Sequence, residues 1–119
     1  MPKFSRWTEA KKTIACGECF PFANNLAREM VSDGIIPESQ IKVCHGTIIE
    51  PFARDLNRHV HAWVETKDRC HDWQLRVAGK GSMTKGEYYD LFKPQDVKRY
   101  SPEESMILMV RNRHHGPWD

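Results

Sequence analysis

The fold is decided by the stretch HVHAWVETKDRCHDWQLRV, which occupies residues 59–77. Apolar and polar side chains alternate along it, and such alternation is typical of strands that bury one face. The alternation predicts two strands, over residues 58–65 and 69–77. Residues 66–68 between them predict a tight turn, so we expect an antiparallel hairpin.

The apolar side chains of this hairpin determine which residues share its second face. The apolar face consists of Val60, Ala62, Val64, Trp73, Leu75 and Val77. Because side chains on a strand repeat every two residues, pairing the apolar faces leaves one register parity. That parity places His61 and Asp72 together on the other face, directly opposite or one diagonal step apart. Either arrangement is within reach of a hydrogen bond.

The segment upstream of the hairpin has the pattern of a helix. Residues 20–33 carry apolar side chains at the spacing of one helical face. Pro21 suits the first turn of a helix, and Gly34 suits the position just after its end. Cys19 therefore lies at the predicted helix start, where free N–H groups and the helix dipole favour a thiolate.

The remaining segments complete an α+β pattern. A strand is predicted over residues 40–49, a loop over 50–57 and a helix over 85–92, with a second short helix beginning at Pro102. An entry segment includes a short helix from Thr8 to Lys12. We expect one domain, in which the helix that begins near Cys19 packs on a small antiparallel sheet and short helices follow.

Length and charge limit the classes of function. The chain has 119 residues, enough for one domain, and its formal net charge is +2. This near-balance gives no electrostatic case for nucleic acid or membrane as a partner. No apolar run approaches the ~20 residues of a spanning helix, and residues 1–7 lack a secretory signal pattern. We expect a cytoplasmic protein with reduced cysteines, and its oligomeric state stays open.

Cys19, His61 and Asp72 have the residue types of a thiol hydrolase or transferase. An imidazole that pairs with a thiolate lowers the thiol pKa and later acts as a general acid. A carboxylate behind the imidazole fixes its tautomer. Backbone N–H groups at a helix start, including that of Cys19, serve as oxyanion donors. This chemistry needs no cofactor and no metal, and it requires a tertiary contact between Cys19 and His61.

Three segments resemble the papain-like and transglutaminase-like cysteine enzymes. Residues 17–27, GECFPFANNLA, are similar to the nucleophile helix of these enzymes. Residues 61–65, HAWVE, are similar to the histidine strand of the transglutaminase-like branch, and this context favours His61 over His59 on the same face. Asp72 falls where that branch keeps its acid on the next strand.

The resemblance covers roughly residues 16–77 and implies a role for each site residue. Cys19 is the implied nucleophile, His61 the base and Asp72 the orienting acid. The implied substrate is a peptide or a small amide. The last third of the chain looks like a set of small bacterial or phage proteins, and that likeness implies no activity.

Two features depart from the family pattern. Papain-like enzymes carry a glutamine shortly before the cysteine as an oxyanion donor, whereas residues 12–15 here are Lys, Thr, Ile and Ala. Gln74 and Trp63 are the candidates to line the cleft and replace that donor. The chain is also shorter than most active members, which predicts a shallow substrate cleft.

A zinc-stabilised interaction domain is an alternative from another class. Cys16 and Cys19 have C-x-x-C spacing. The pairs Cys44-His45 and Cys70-His71 would supply the other two ligands of a tetrahedral site, with Cys44 and Cys70 as the candidates. Cys44 and Cys70 do not form a second C-x-x-C pair, so the cysteine spacing is only weak evidence for a zinc site. A catalytically inactive domain that only binds a partner is the other alternative.

Overall fold

The computed structural model describes residues 17–51 and 57–118. Its five strands form an antiparallel sheet in the order β4–β3–β2–β1–β5. The strands are β1 Lys42–Ile49, β2 Arg58–Glu65, β3 Arg69–His71, β4 Ser82–Thr84 and β5 Gln95–Tyr100. The predicted entry helix from Thr8 to Lys12 and residues 52–56 of the predicted loop lie outside the described residues.

Within residues 17–51 and 57–118, four α-helices and one short 3₁₀ turn accompany the sheet. The helices are α1 Cys19–Asp33, α2 Trp73–Val77, α3 Lys85–Phe92 and α4 Pro102–Asn112, and the 3₁₀ turn is Glu38–Gln40. The α+β class is therefore confirmed, with an N-terminal helix, an antiparallel sheet and short C-terminal helices. Among the described helices none is long and apolar enough to cross a membrane.

Helix α1 confirms the prediction for residues 20–33 and begins one residue earlier, at Cys19. Gly34 ends it in the left-handed conformation, with φ of 70°, and its N–H donates to Met30 O at 3.3 Å. Glycine adopts this conformation without the steric cost that a Cβ atom brings. The glycine after the apolar pattern is therefore the physical reason why the helix stops there.

The central strand β2 packs its two faces against different helices. Val60, Ala62 and Val64 are fully buried against one face of α1. That face of α1 consists of Cys19, Phe20, Ala23 and Ala27. The predicted packing of the first helix on the apolar face of the hairpin is therefore present.

The opposite face of β2 belongs to a second, aromatic core. Trp63 is fully buried there beside Tyr88 and Phe92 of α3, with Trp63 and Tyr88 ring centroids 5.5 Å apart. Tyr88 and Phe92 are four residues apart, so they lie on the same side of α3. This second core surrounds the polar side chains that β2 directs away from α1.

The predicted second strand, residues 69–77, is wrong beyond His71. Strand β3 contains only Arg69–His71, and residues 73–77 form α2. The cause is Asp72, whose Oδ1 accepts from the Gln74 N–H at 2.7 Å and so caps a helix. The predicted turn is present, since Thr66 N donates to Arg69 O at 3.0 Å.

Two strands were not predicted, whereas both C-terminal helices were. β4 contains only three residues and β5 is partly exposed, so neither has a clear apolar alternation. Thr84 with Glu87 and Ser101 with Glu104 form the capping boxes expected from their spacing. Helices with local start signals were therefore easier to predict than strands held by their neighbours.

The C-terminal tail folds back on α1 and the sheet. Asn24 Nδ2 donates to His115 O at 2.8 Å, and the Ser105 hydroxyl donates to Asn24 Oδ1. Trp118 is buried, with its ring centroid 4.9 Å from that of His45 on β1. The tail thus joins α1, α4 and the sheet into one core.

Candidate active site

The structure brings His61 and Asp72 into direct contact. His61 Nε2 lies 2.6 Å from Asp72 Oδ2, and neither side chain has exposed surface. Val64 pairs with His71, so Asp72 follows β3 on the face that His61 and Trp63 share. The predicted alternation of faces still applies to Asp72, because this residue directly follows the last residue of β3. Of the two candidate histidines, His61 rather than His59 is bonded to Asp72.

Asp72 accepts hydrogen bonds from three groups. Besides His61, the Tyr88 hydroxyl donates to Oδ2 at 2.5 Å and the Gln74 N–H donates to Oδ1 at 2.7 Å. Burial raises the pKa of Asp72, but the His61 charge and these hydrogen bonds outweigh it and hold the pKa below its ordinary value. Asp72 therefore keeps its negative charge in the interior, as an orienting acid must.

Tyr88 is the site residue that the sequence did not indicate. It lies on α3, and its only local signal is the four-residue spacing to Phe92, which also fits plain core packing. Burial raises the pKa of Tyr88 well above its ordinary value, and the charges of Asp72, Cys70 and Cys19 add to the increase.

His61 has one nitrogen that Asp72 does not use. Its ring lies almost parallel to that of Phe92, with centroids 6.1 Å apart and an interplanar angle of 9°. Among the described residues Nδ1 has no hydrogen-bond partner although it is buried. A buried polar nitrogen without a partner costs stability and calls for an explanation. Nδ1 is the atom that a neighbouring thiol would use.

Cys19 is the first residue of α1 and is fully buried. The first N–H groups of a helix have no acceptor within the helix, so Cys19 lies at the donor-rich end of α1. The first turn of α1 approaches α2, with ring centroids of Phe22 and Trp73 5.6 Å apart. His61 faces the α3 side of β2, whereas the body of α1 covers the other side, and direct contact between Cys19 and His61 stays a prediction.

The two predicted cleft residues donate their hydrogen bonds elsewhere. The Trp63 indole N–H donates to Glu65 Oε2 at 3.0 Å, and the Gln74 side-chain amide donates to the Glu50 carboxylate. Trp63 is also fully buried. Their role as oxyanion donors stays a prediction, and it would require both bonds to be exchanged.

A cavity of about 320 Å³ lies between α1 and α2, and its lining contains the neighbours of Cys19 and Asp72 in the sequence but none of the three proposed site residues. Its lining includes Glu18 and Phe22 from the start of α1 and Trp73 and Arg76 from α2. The Arg76 guanidinium carbon lies 5.8 Å from the centre of the Phe22 ring. The volume is near the lower limit of roughly 300 Å³ for small-molecule clefts, so this cavity suits a small group.

The alternative zinc ligands do not converge within the described part of the chain. There no three His, Cys, Asp or Glu side chains are grouped closely enough to hold a metal ion. Cys44 and Cys70 belong to the aromatic core, whereas Cys19 belongs to the core under α1. Cys16 lies outside the described residues. Burial raises the pKa of the Cys70 thiol to about 12 and that of Cys44 further.

Comparison with protein-family models, curated proteins and solved structures finds no match to this chain. The family resemblance of residues 16–77 therefore stays a prediction from the sequence motifs. A functional conclusion depends instead on the chemistry of the buried pair and of the residues around it.

Proposed function

We propose that the chain is a cysteine-nucleophile hydrolase or acyltransferase that acts on an amide or peptide-type carbonyl. The observation that carries this proposal is the buried His61–Asp72 contact at 2.6 Å, with Nδ1 of His61 unpaired among the described residues. An imidazole held through one nitrogen by a carboxylate and free at the other is the arrangement that a thiol nucleophile requires.

Each member of the triad has one role. The Cys19 sulfur attacks the carbonyl carbon, and the C–N bond breaks as Nδ1 of His61 gives its proton to the leaving amine. The product is a thioester on Cys19. Water or a second amine then attacks the thioester carbonyl and gives a proton to His61. The C–S bond breaks, so the acid or the new amide leaves and the thiolate–imidazolium pair is restored. Asp72 keeps the Nε2–H of His61 in place throughout.

The start of α1 offers oxyanion donors for the same reaction. The backbone N–H groups of Cys19 and Phe20 lie in the first turn, where a helix has no internal acceptors, and Pro21 has no N–H. Donors fixed by the backbone need no reorganisation as charge develops on the carbonyl oxygen. Gln74 or Trp63 would have to leave Glu50 or Glu65 to serve in the same role.

Access to the sulfur is a condition of this proposal. Cys19 has no exposed surface in this structure, so a substrate reaches it only when a covering segment moves. The neighbouring cavity at Phe22 and Trp73 gives the substrate a place to bind close to the start of α1. Movement of the segment that covers the first turn of α1 would connect this cavity to the Cys19 sulfur.

The experiment is hydrolysis of a panel of fluorogenic peptide amides, with and without hydroxylamine as acyl acceptor. Cys19→Ala should abolish turnover and leave the unfolding curve close to that of the wild type. Cys44→Ala is the matched control, since it removes a buried thiol outside the proposed site. Unchanged turnover in Cys19→Ala would contradict the proposal.

Complete burial favours a second candidate, a non-catalytic domain. Cys19, His61 and Asp72 all have zero exposure, and Tyr88 satisfies Asp72 further. In that case the polar network only stabilises the core. No turnover by the wild type, together with a large loss of stability in Cys19→Ala, would support this second candidate.

A further inference from the structure

We propose that the chain has a second binding site, for a small ligand that carries several negatively charged oxygens. The site is a cavity of about 290 Å³ where β1 begins and β2 ends. Its cationic side chains come from β1, the turn after β2, the start of α3, and β5. They are Lys42, Lys67, Lys85 and Arg99. This proposal does not depend on the chemistry of Cys19.

The charges in this cavity are unbalanced. Four cationic side chains surround a single carboxylate, that of Glu65. Glu65 is the direct cross-strand partner of Lys42, and its side chain is only 4% exposed, whereas that of Arg99 is 48% exposed. The carboxylate therefore lies beneath the cations. A ligand that enters from solvent meets positive charge first.

The Glu65 carboxylate already accepts hydrogen bonds from neighbouring side chains. Its oxygens accept from the Trp63 indole at 3.0 Å, the Arg99 Nε at 3.1 Å and the Tyr89 hydroxyl. Lys85 Nζ lies further away, at 3.9 Å from Oε1. Glu65 is thus shared by two cations, Arg99 and Lys85, while Lys42 and Lys67 add two more positive charges to the lining.

Arg99 is held in a fixed orientation before any ligand binds. Its Nε donates to Glu65 and its Nη2 donates to the Tyr89 hydroxyl at 2.7 Å. A guanidinium has five N–H donors, and three of them have no acceptor among the described residues. A pre-oriented guanidinium loses little entropy on binding and suits phosphate or carboxylate groups that accept two parallel hydrogen bonds.

The rest of the lining also consists of donors. Ser39 and Thr66 contribute hydroxyl groups and Gln40 contributes an amide. A site rich in donors, whose one carboxylate is saturated, selects anionic oxygen atoms over cations. The cavity is near the lower limit for ligand clefts, which favours a phosphate ester, a diphosphate or a small polycarboxylate over a larger molecule.

The test is isothermal titration of pyrophosphate and of citrate into the full chain at low ionic strength. The pocket variant is Lys67→Gln with Lys85→Gln, and the matched control is Lys80→Gln with Lys93→Gln. Both variants remove two positive charges, but Lys80 and Lys93 do not line the cavity. Urea unfolding of both variants checks that they are folded.

We expect the pocket variant to weaken pyrophosphate binding about ten-fold, because each partly exposed lysine contributes modestly. The control variant should change it by no more than about two-fold, through long-range charge alone. Tighter binding of pyrophosphate than of citrate assigns a phosphate ligand, and the reverse assigns a carboxylate; either supports the site. No binding of either anion, or an equal loss in both variants, would overturn the proposal.

Discussion

At the scale of single residues, the two carboxylate oxygens of Asp72 accept hydrogen bonds from different groups. Oδ1 caps α2 through the Gln74 N–H, and Oδ2 accepts from His61 and Tyr88. The same carboxylate therefore ends β3, starts a helix and orients the imidazole. One substitution at this position acts on both the fold and the proposed chemistry.

Asp72→Asn should lower the free energy of unfolding at pH 7 by about 2 kcal/mol, since it removes a charged acceptor from a buried network. The pKa of Asp72 is below its ordinary value in the folded chain. Its contribution is therefore complete above the unfolded pKa and is lost as pH falls through the folded pKa. Urea unfolding of both proteins at pH 7 and near pH 3 measures this.

Tyr88→Phe is the control for that experiment, because it removes one hydrogen bond to Asp72 and leaves the carboxylate charge in place. Its effect on stability should change much less with pH. An Asp72→Asn deficit that is equally large at both pH values would show that the charge of Asp72 contributes nothing.

The sequence predicted the His61–Asp72 contact because the face of a strand depends only on parity, and Asp72 lies directly beyond β3. It could not predict that Tyr88 joins them, since that contact depends on how α3 packs on the sheet. Direct contact between Cys19 and His61 depends on tertiary structure in the same way. Sequence periodicity therefore predicts which face of a strand a side chain occupies, whereas its contacts with distant elements depend on tertiary packing.

At the scale of elements, backbone conformation separates two glycines that look alike in the sequence. Gly34 has φ of +70° at the end of α1. Gly86 lies in the first turn of α3, and a Cβ atom there would meet no atom within 4 Å. The same substitution should therefore have opposite effects at the two positions.

Gly34→Ala should destabilise the chain by about 1 kcal/mol, because a Cβ atom is disfavoured in the left-handed conformation. Gly86→Ala should stabilise it by roughly 0.5 kcal/mol, because alanine reduces the freedom of the unfolded chain and favours helix. Chemical denaturation of the two variants gives the sign of the change in the free energy of unfolding for each. A gain in stability at Gly34 would contradict the described end of α1.

The error at residues 73–77 has an elementary cause. Five residues with alternating apolar side chains fit a short strand and a single helical turn equally well. The N-cap at Asp72 selects the helix, and the signal is one side-chain hydrogen bond rather than a periodicity. α3 and α4 were predictable because each begins with a two-sided capping box.

At the scale of the whole molecule, His45 links the sheet to the C-terminal tail. It is fully buried, and neither ring nitrogen has a hydrogen-bond partner among the described residues. Phe20, Tyr100 and Trp118 surround its ring at centroid distances of 4.8, 5.2 and 4.9 Å. Burial, with smaller effects of Lys98 and His61, lowers the pKa of His45 to about 3.

This buried imidazole should make the whole fold sensitive to mild acid. Between pH 6.5 and about 3 the unfolded chain binds a proton at His45 that the folded chain does not bind. Stability should therefore fall with pH across this window, by on the order of 3 kcal/mol down to pH 4. The free energy of unfolding, measured at intervals from pH 7 to pH 4, tests this.

His45→Phe keeps an aromatic ring in that position and removes the titrating group, so its stability should fall less steeply between pH 6.5 and 4. The contribution of Asp72 changes only at lower pH, which separates the two residues. Equal slopes in the wild type and in His45→Phe would mean that His45 is not buried as described.

The most direct test of the proposed nucleophile is the rate at which iodoacetamide alkylates each cysteine as a function of pH. Mass spectrometry reads the products in a Cys16→Ser background, so that Cys19 is the only cysteine in its tryptic peptide. Cys44 and Cys70 serve as internal controls, because both are buried and their thiol pKa values are raised.

We predict that Cys19 reacts well before Cys44 and Cys70 at pH 7, with a rate that persists below the ~8.5 midpoint of a free thiol. His61→Ala should slow that reaction about ten-fold and move its midpoint upward. If Cys19 instead reacts only together with Cys44 and Cys70, once urea unfolds the chain, it is a structural thiol and the proposed triad is wrong.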